Sequence, residues 1–117
     1  MYTLRETKEP GVLEISFDYM ESIHILGPFW DILSEYSKEI NSEPQAVEPL
    51  DNYKFIEDGY KIQFYWNSCF KIYVFYIGRS QFRKVYDRLY DICTRLNRQL
   101  NEKRYFKKYG EYPNMKH

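Results

Sequence analysis

Two cysteines and two histidines are the residues of this 117-residue sequence with the most obvious chemistry. A thiol and an imidazole within hydrogen-bond reach make a nucleophile and its base. His117 is the last residue, where order is least expected, so such a pair would have to join His24 to Cys69 or Cys93. No local signature surrounds either cysteine and nothing has CxxC spacing. Cys93 falls on the apolar stripe of a predicted helix, where a small apolar core residue is the simpler role.

Carboxylates are more numerous. Glu57 with Asp58, or Asp87 with Asp91, could serve as acid and base or as metal ligands. Asp58 is equally explained by an Asp-Gly turn. Asp87 and Asp91 alternate with Arg83 and Arg95 at four-residue steps, the spacing of ion pairs along a helix. The sequence contains no GxGxxG, P-loop or HExxH pattern. The reading is therefore non-enzymatic, with no catalytic residue, metal or cofactor assigned.

The net charge of zero hides a segregation. Residues 1–58 carry thirteen acidic and four basic side chains, whereas residues 79–108 carry three acidic and ten basic. Such asymmetry marks charged interaction faces unless the fold interleaves the two halves and cancels the field. Thirteen tyrosines explain how a chain with 44% hydrophobic residues has a mean hydropathy of only -0.69. The tyrosine ring packs well while its hydroxyl needs a partner. Disorder is excluded by this composition.

The first ten residues, MYTLRETKEP, lack the apolar region of an export signal. The longest uncharged apolar run, Ile72 to Ile77, falls far short of the roughly 20 residues a membrane helix needs. The expectation is a cytoplasmic protein, free of the membrane, with reduced thiols. A chain of this length fits one domain, 1–117, with the tail 105–117 flexible.

The elements that must position these residues follow from periodicity. Leu13, Ile15 and Phe17 alternate with Glu14, Ser16 and Asp18, predicting a strand over 12–18 with one wet face. Residues 19–27 have no decisive pattern. Gly27-Pro28 punctuates the start of a helix over 28–41, with Phe29, Ile32, Leu33, Tyr36 and Ile40 on one face. Asp31, Glu35, Lys38 and Glu39 occupy the other, predicting an acidic solvent face. Residues 41–51, with Pro44 and Pro49, read as a loop.

Asp58-Gly59 between alternating segments predicts a hairpin of strands 53–57 and 60–66. Asn67-Ser68 turns into a third strand over 69–77. Ile62, Phe64 and Trp66, then Phe70, Ile72, Val74 and Tyr76, should line the core face, leaving Tyr65, Tyr73 and Phe75 on the second face with Lys61, Gln63 and Lys71. Gly78 ends that strand and Ser80 suits the cap of a helix over 81–103, whose stripe runs from Phe82 to Leu100. The economical fold is an α+β two-layer sandwich: a mainly antiparallel sheet, order β-α-β-β-β-α, with both helices on one face.

Two kinds of binding fit this arrangement. Arg88, Arg95 and Arg98 on the last helix, with tyrosines to stack on bases, suit nucleic acid, against which stand a pI near 6.7 and the acidic first half. Alternatively, Glu35, Glu39, Glu43, Glu48, Glu57 and Asp58 would steer a basic protein partner onto Tyr65 and Tyr73, rigid aromatic anchors of the kind enriched in binding hot spots. The structural explanation for those tyrosines is that another segment or a second subunit covers them.

The acidic stretch EYSKEINSEPQAVEPLDNYKFIED and the aromatic hairpin YKIQFYWNSCFKIYVFYIG, in a short chain without motifs, resemble a small bacterial immunity protein of a contact-dependent inhibition or polymorphic-toxin system. The resemblance is one of style over the whole length. It implies a protein-binding module that neutralises a toxin domain, and, since the class spans unrelated folds, it assigns no residue.

Overall fold

In the computed structural model, residues 1–18, 23, 27–48, 51–67, 70–76 and 79–109 are described, with the side chains of 79 and 104–109 excepted. The elements are β1 (Thr3–Glu6), β2 (Val12–Ser16), α1 (Pro28–Ile40), β3 (Gln45–Ala46), β4 (Asn52–Glu57), β5 (Tyr60–Asn67), β6 (Lys71–Tyr76) and α2 (Arg79–Tyr109). The strands form one antiparallel sheet in the order β1-β2-β6-β5-β4-β3. The fold is α+β, as the patterning predicts.

Local chemistry accounts for the breaks. Asp58 and Gly59 both have positive φ, 51° and 80°, as a type I′ turn demands, and Tyr60 pairs back onto Glu57. Pro28 opens α1 at its first position, and Asn41 closes it in the left-handed conformation, with Ser42 N–H bonded to Ser37 C=O. At 31 residues and about 1.5 Å per residue, α2 is ~46 Å long. It sets the long dimension of the molecule, also 46 Å.

Both helices lie on one side of the sheet. Tyr36 of α1 packs on Phe55 and Phe64, with ring centroids 5.2 and 5.1 Å away, and Phe29 packs on Tyr53 and Trp66. From α2, Phe82 meets Tyr76 at 5.9 Å, and Val85, Leu89, Ile92 and Leu96 are fully buried. Opposite them lie Leu13, Ile15, Ile62, Phe64, Ile72 and Val74, so the predicted core face of each strand is the observed one.

Several expectations need adjustment. The sheet has six strands rather than four, because β1 pairs with β2 and the two-residue β3 pairs with β4 inside the predicted loop. The sequence TLRE offers only Leu4 as an apolar signal, so nothing local announces that strand. Phe70 is not a core strand residue but a half-exposed turn position with φ 61°. α2 begins two residues before the predicted start and continues to Tyr109, so Ser80 lies within it. On α1, Asp31 and Glu35 are buried rather than solvated. The β1 segment returns across the layer, and the Tyr2 hydroxyl donates to Asp31, which also accepts from Ile23 N–H at 3.2 Å. His24, Ser68, Cys69, Ile77, Gly78 and residues 110–117 lie outside the described residues.

Candidate functional site

Antiparallel registers bring residues of alternate type into rows on the face away from the helices. One row runs Arg5, Glu14, Tyr73, Tyr65, Asn52. A second runs Val12, Phe75, Gln63, Lys54, Gln45, with Lys71 and Ser16 in a third and Ile56 opposite Lys61 beyond. Among the described residues, no helix or strand covers this face. Phe75 is 39% exposed and Ile56 is exposed, while Tyr65 and Tyr73, directly opposite one another, are half-buried by their neighbours.

Its charges are one-sided along the paired strands. There Arg5, Lys54, Lys61 and Lys71 stand with one acid, Glu14, and Glu6 and Glu9 flank them at the β1–β2 turn. Glu14 is only 2% exposed although no helix lies over it, because Arg5 and Lys71 fold across it. Arg5 Nε donates to one carboxylate oxygen and Lys71 Nζ lies 3.1 Å from the other. Burial opposes ionisation of Glu14, but the two bonds and charges outweigh it and hold the carboxyl below its ordinary range. At the other end of that row, Gln63 Nε2 donates to Asn52 Oδ1 at 2.6 Å, so the amides are locked to each other. A concavity of about 670 Å³ opens between the β1–β2 turn and this row, with Tyr73 and Phe75 on one side and charges of both signs, Arg5, Lys8 and Lys71 with Glu6, Glu9 and Glu14, around it.

The acids expected to steer a partner lie elsewhere and are largely engaged. Glu57 accepts from Arg88 and lies 3.0 Å from Lys84, which also donates to Asp58 at 2.7 Å. That bond and the Lys84 charge hold the Asp58 carboxyl below its usual range. Glu39 meets Arg95 at 3.3 Å, and Glu35 is 6% exposed beside Lys38. Glu43 and Glu48 are exposed around β3 and have no ion-pair partner among the described residues. The structure thus brings Tyr65 and Tyr73 together, while Glu39, Glu57 and Asp58 are paired with cations of α2 on the other side of the sheet.

The cations proposed for nucleic acid are divided in the same way. Arg88 is tied to Glu57 beside the Tyr36 hydroxyl, and Arg95 to Glu39 and Asp91. Arg98 is exposed and without an ion pair among the described residues. Burial pushes the Tyr36 hydroxyl up to about 12, moderated by Arg88, and burial alone pushes the Cys93 thiol up to about 12, far from a reactive thiolate. No group of three or more His, Cys, Asp or Glu side chains among the described residues is placed to hold a metal ion, and no described helix is long and apolar enough to cross a membrane.

Sequence reasoning missed Arg5 and Glu14 as a pair. The signal was available in the alternation of VLEIS, which puts Glu14 on the wet face, but its partner belongs to a strand with no pattern of its own. Compared with known proteins, the chain matches no family model, no curated protein and no solved structure.

Proposed function

We propose that this protein is a non-enzymatic binding module that docks a protein partner across the helix-free face of its sheet, in the manner of an immunity protein neutralising a cognate toxin domain. The observation that carries the reading is the adjacent pair Tyr65 and Tyr73 on a face left uncovered by every described element and bordered by Arg5, Lys54, Lys61 and Lys71. Tyrosines on a sheet have little side-chain entropy to lose, and flanking charge steers encounter. Glu39, Glu57 and Asp58 already answer Arg95, Arg88 and Lys84, and Arg5 and Lys71 answer Glu14, so the charge left for steering on this face, among the described residues, is that of Lys54 and Lys61. This favours a partner with an acidic docking surface over the basic one expected from the sequence.

The test is capture of the partner from the native host, beginning with the product of the neighbouring reading frame. Replacing both Tyr65 and Tyr73 by alanine should weaken that complex by about a hundredfold or more, given typical hot-spot losses, with unfolding unchanged within about 1 kcal/mol. Equal binding by the double variant would overturn the proposed face. Retention of the wild-type protein on single-stranded DNA or RNA at low salt, lost in the same variant, would replace the protein partner by a nucleic acid.

A further inference from the structure

The outer edge of β1 carries a second surface, independent of the Tyr65 and Tyr73 face. Thr7 N–H bonds to Val12 C=O, and antiparallel pairing alternates, so Thr3, Arg5 and Thr7 point their backbone groups at β2. Those of Tyr2, Leu4 and Glu6 then point outward. At Tyr2 they are already taken: Asn97 Oδ1 accepts from its N–H at 2.7 Å and Asn97 Nδ2 donates to its C=O at 2.9 Å. The Asn97 amide therefore stands where the backbone of a next strand would begin, leaving Leu4 and Glu6, among the described residues, with the edge's open donors and acceptors. Native edges are blunted by shortness, charge, proline, a bulge or a covering loop; β1 is four residues long and carries Arg5 and Glu6, of opposite sign. Leu4 to Glu6 has no proline and pairs with β2 in unbroken register.

Beneath this edge runs one flank of α2. At 100° per residue, Tyr86, Tyr90 and Asn97 share that flank. Asn97 sits at Tyr2 while Phe82 joins Glu6 and Val12 around a concavity of about 740 Å³, so α2 runs antiparallel to β1 with Tyr86 and Tyr90 between. Tyr86 and Tyr90 stack at 6.4 Å, and Tyr90 is 60% exposed, the most exposed large apolar side chain described.

We infer that this edge accepts an extended strand from a partner protein, paired antiparallel with Leu4 and Glu6 and floored by Tyr86 and Tyr90. A second copy of the chain fits poorly. The register that pairs Leu4 with the copy's Glu6 puts the two Arg5 side chains directly opposite, and the register centred on Leu4 runs its Glu6 backbone into the Asn97 amide. Charge chooses the incoming residues. Opposite Arg5, on the open face, an acidic side chain fits. Opposite Glu6, a lysine fits, its stem lying on Tyr86, and opposite Leu4 an apolar side chain completes the floor. Read from its N-terminus, the strand is lysine, glutamate, valine or their equivalents.

The peptide acetyl-Thr-Lys-Glu-Val-Thr-amide, titrated into the whole protein and followed by NMR, tests this. Saturable shifts at the Leu4 and Glu6 amides and slower hydrogen exchange at both are expected. Methylating the valine nitrogen, or exchanging the peptide's lysine and glutamate, should each weaken binding about tenfold. Tyr90→Ala, at an exposed helix site, should weaken it several-fold without loss of fold. Absence of shifts at millimolar peptide, or equal binding of the methylated peptide, would overturn the inference. So would a wild-type dimer in sedimentation equilibrium that Tyr90→Lys dissociates, since the edge would then belong to a second copy.

Discussion

Glu14 is the residue whose neighbours most change its meaning. In sequence it is one wet position of an alternating strand; in the fold it is a buried carboxylate whose two cations come from the strands on either side of its own. Its carboxyl sits below the ordinary range when folded, so its stabilisation is complete above about pH 5 and is lost as pH falls through the folded value. Glu14→Gln should cost about 1–3 kcal/mol at pH 7, less than a fully enclosed pair because Arg5 is exposed, and should flatten the acid limb of stability measured by urea unfolding. Tyr2→Phe makes a complementary case. It deletes one donor to the fully buried Asp31 while keeping the ring, and should cost about 1–3 kcal/mol in the same assay.

At the scale of elements, periodicity located every element that buries a face of its own. The helices, β2, β4, β5 and β6 lie within a few residues of where their patterns place them, and Phe64 is fully buried between Tyr36 and Phe55 as the core face requires. Phe64→Ala should cost about 3–5 kcal/mol of unfolding free energy, by the cavity it leaves. β1 and β3 were illegible for the same reason that they are edges: one flank only, few apolar residues, and stability borrowed from a neighbour. β1 leans on Asn97. Asn97→Ala should therefore speed hydrogen exchange at Tyr2 and Leu4 far more than at β5, with a global loss of about 1–2 kcal/mol.

At the scale of the molecule, the acidic first half and basic second half are folded against each other, with α2 laid along α1 and the β4–β5 hairpin. The asymmetry that invited a charged-surface reading is in good part internal pairing. Reversing a paired cation should thus disturb folding and reversing an unpaired one should not. Arg88→Glu, facing Glu57 beside the buried Tyr36, should lower the thermal midpoint by several degrees, whereas Arg98→Glu should stay within about 0.5 kcal/mol of wild type by chemical denaturation. Of the candidate contacts, Tyr65 and Tyr73 were legible as neighbours on one face because strand alternation and the hairpin turn fix both. The acids were not, since composition carries no information about which opposite charge lies across the layer.

The sequence by itself determined the α+β class, the two helices, four of the six strands and the face that β2, β5 and β6 bury. Those are consequences of 3.6- and 2-residue periods and of turn chemistry at Asp58-Gly59, all local in the chain. Tertiary structure alone decided that Asp31 and Glu14 are buried, that Glu57 and Glu39 spend their charge on Arg88 and Arg95, and that the open sheet face is cationic. The ion pair of Arg5 with Glu14 spans 9 residues and the contact of Tyr2 with Asn97 that holds the β1 edge spans 95, and burial of a charge is settled only by what the rest of the chain lays over it.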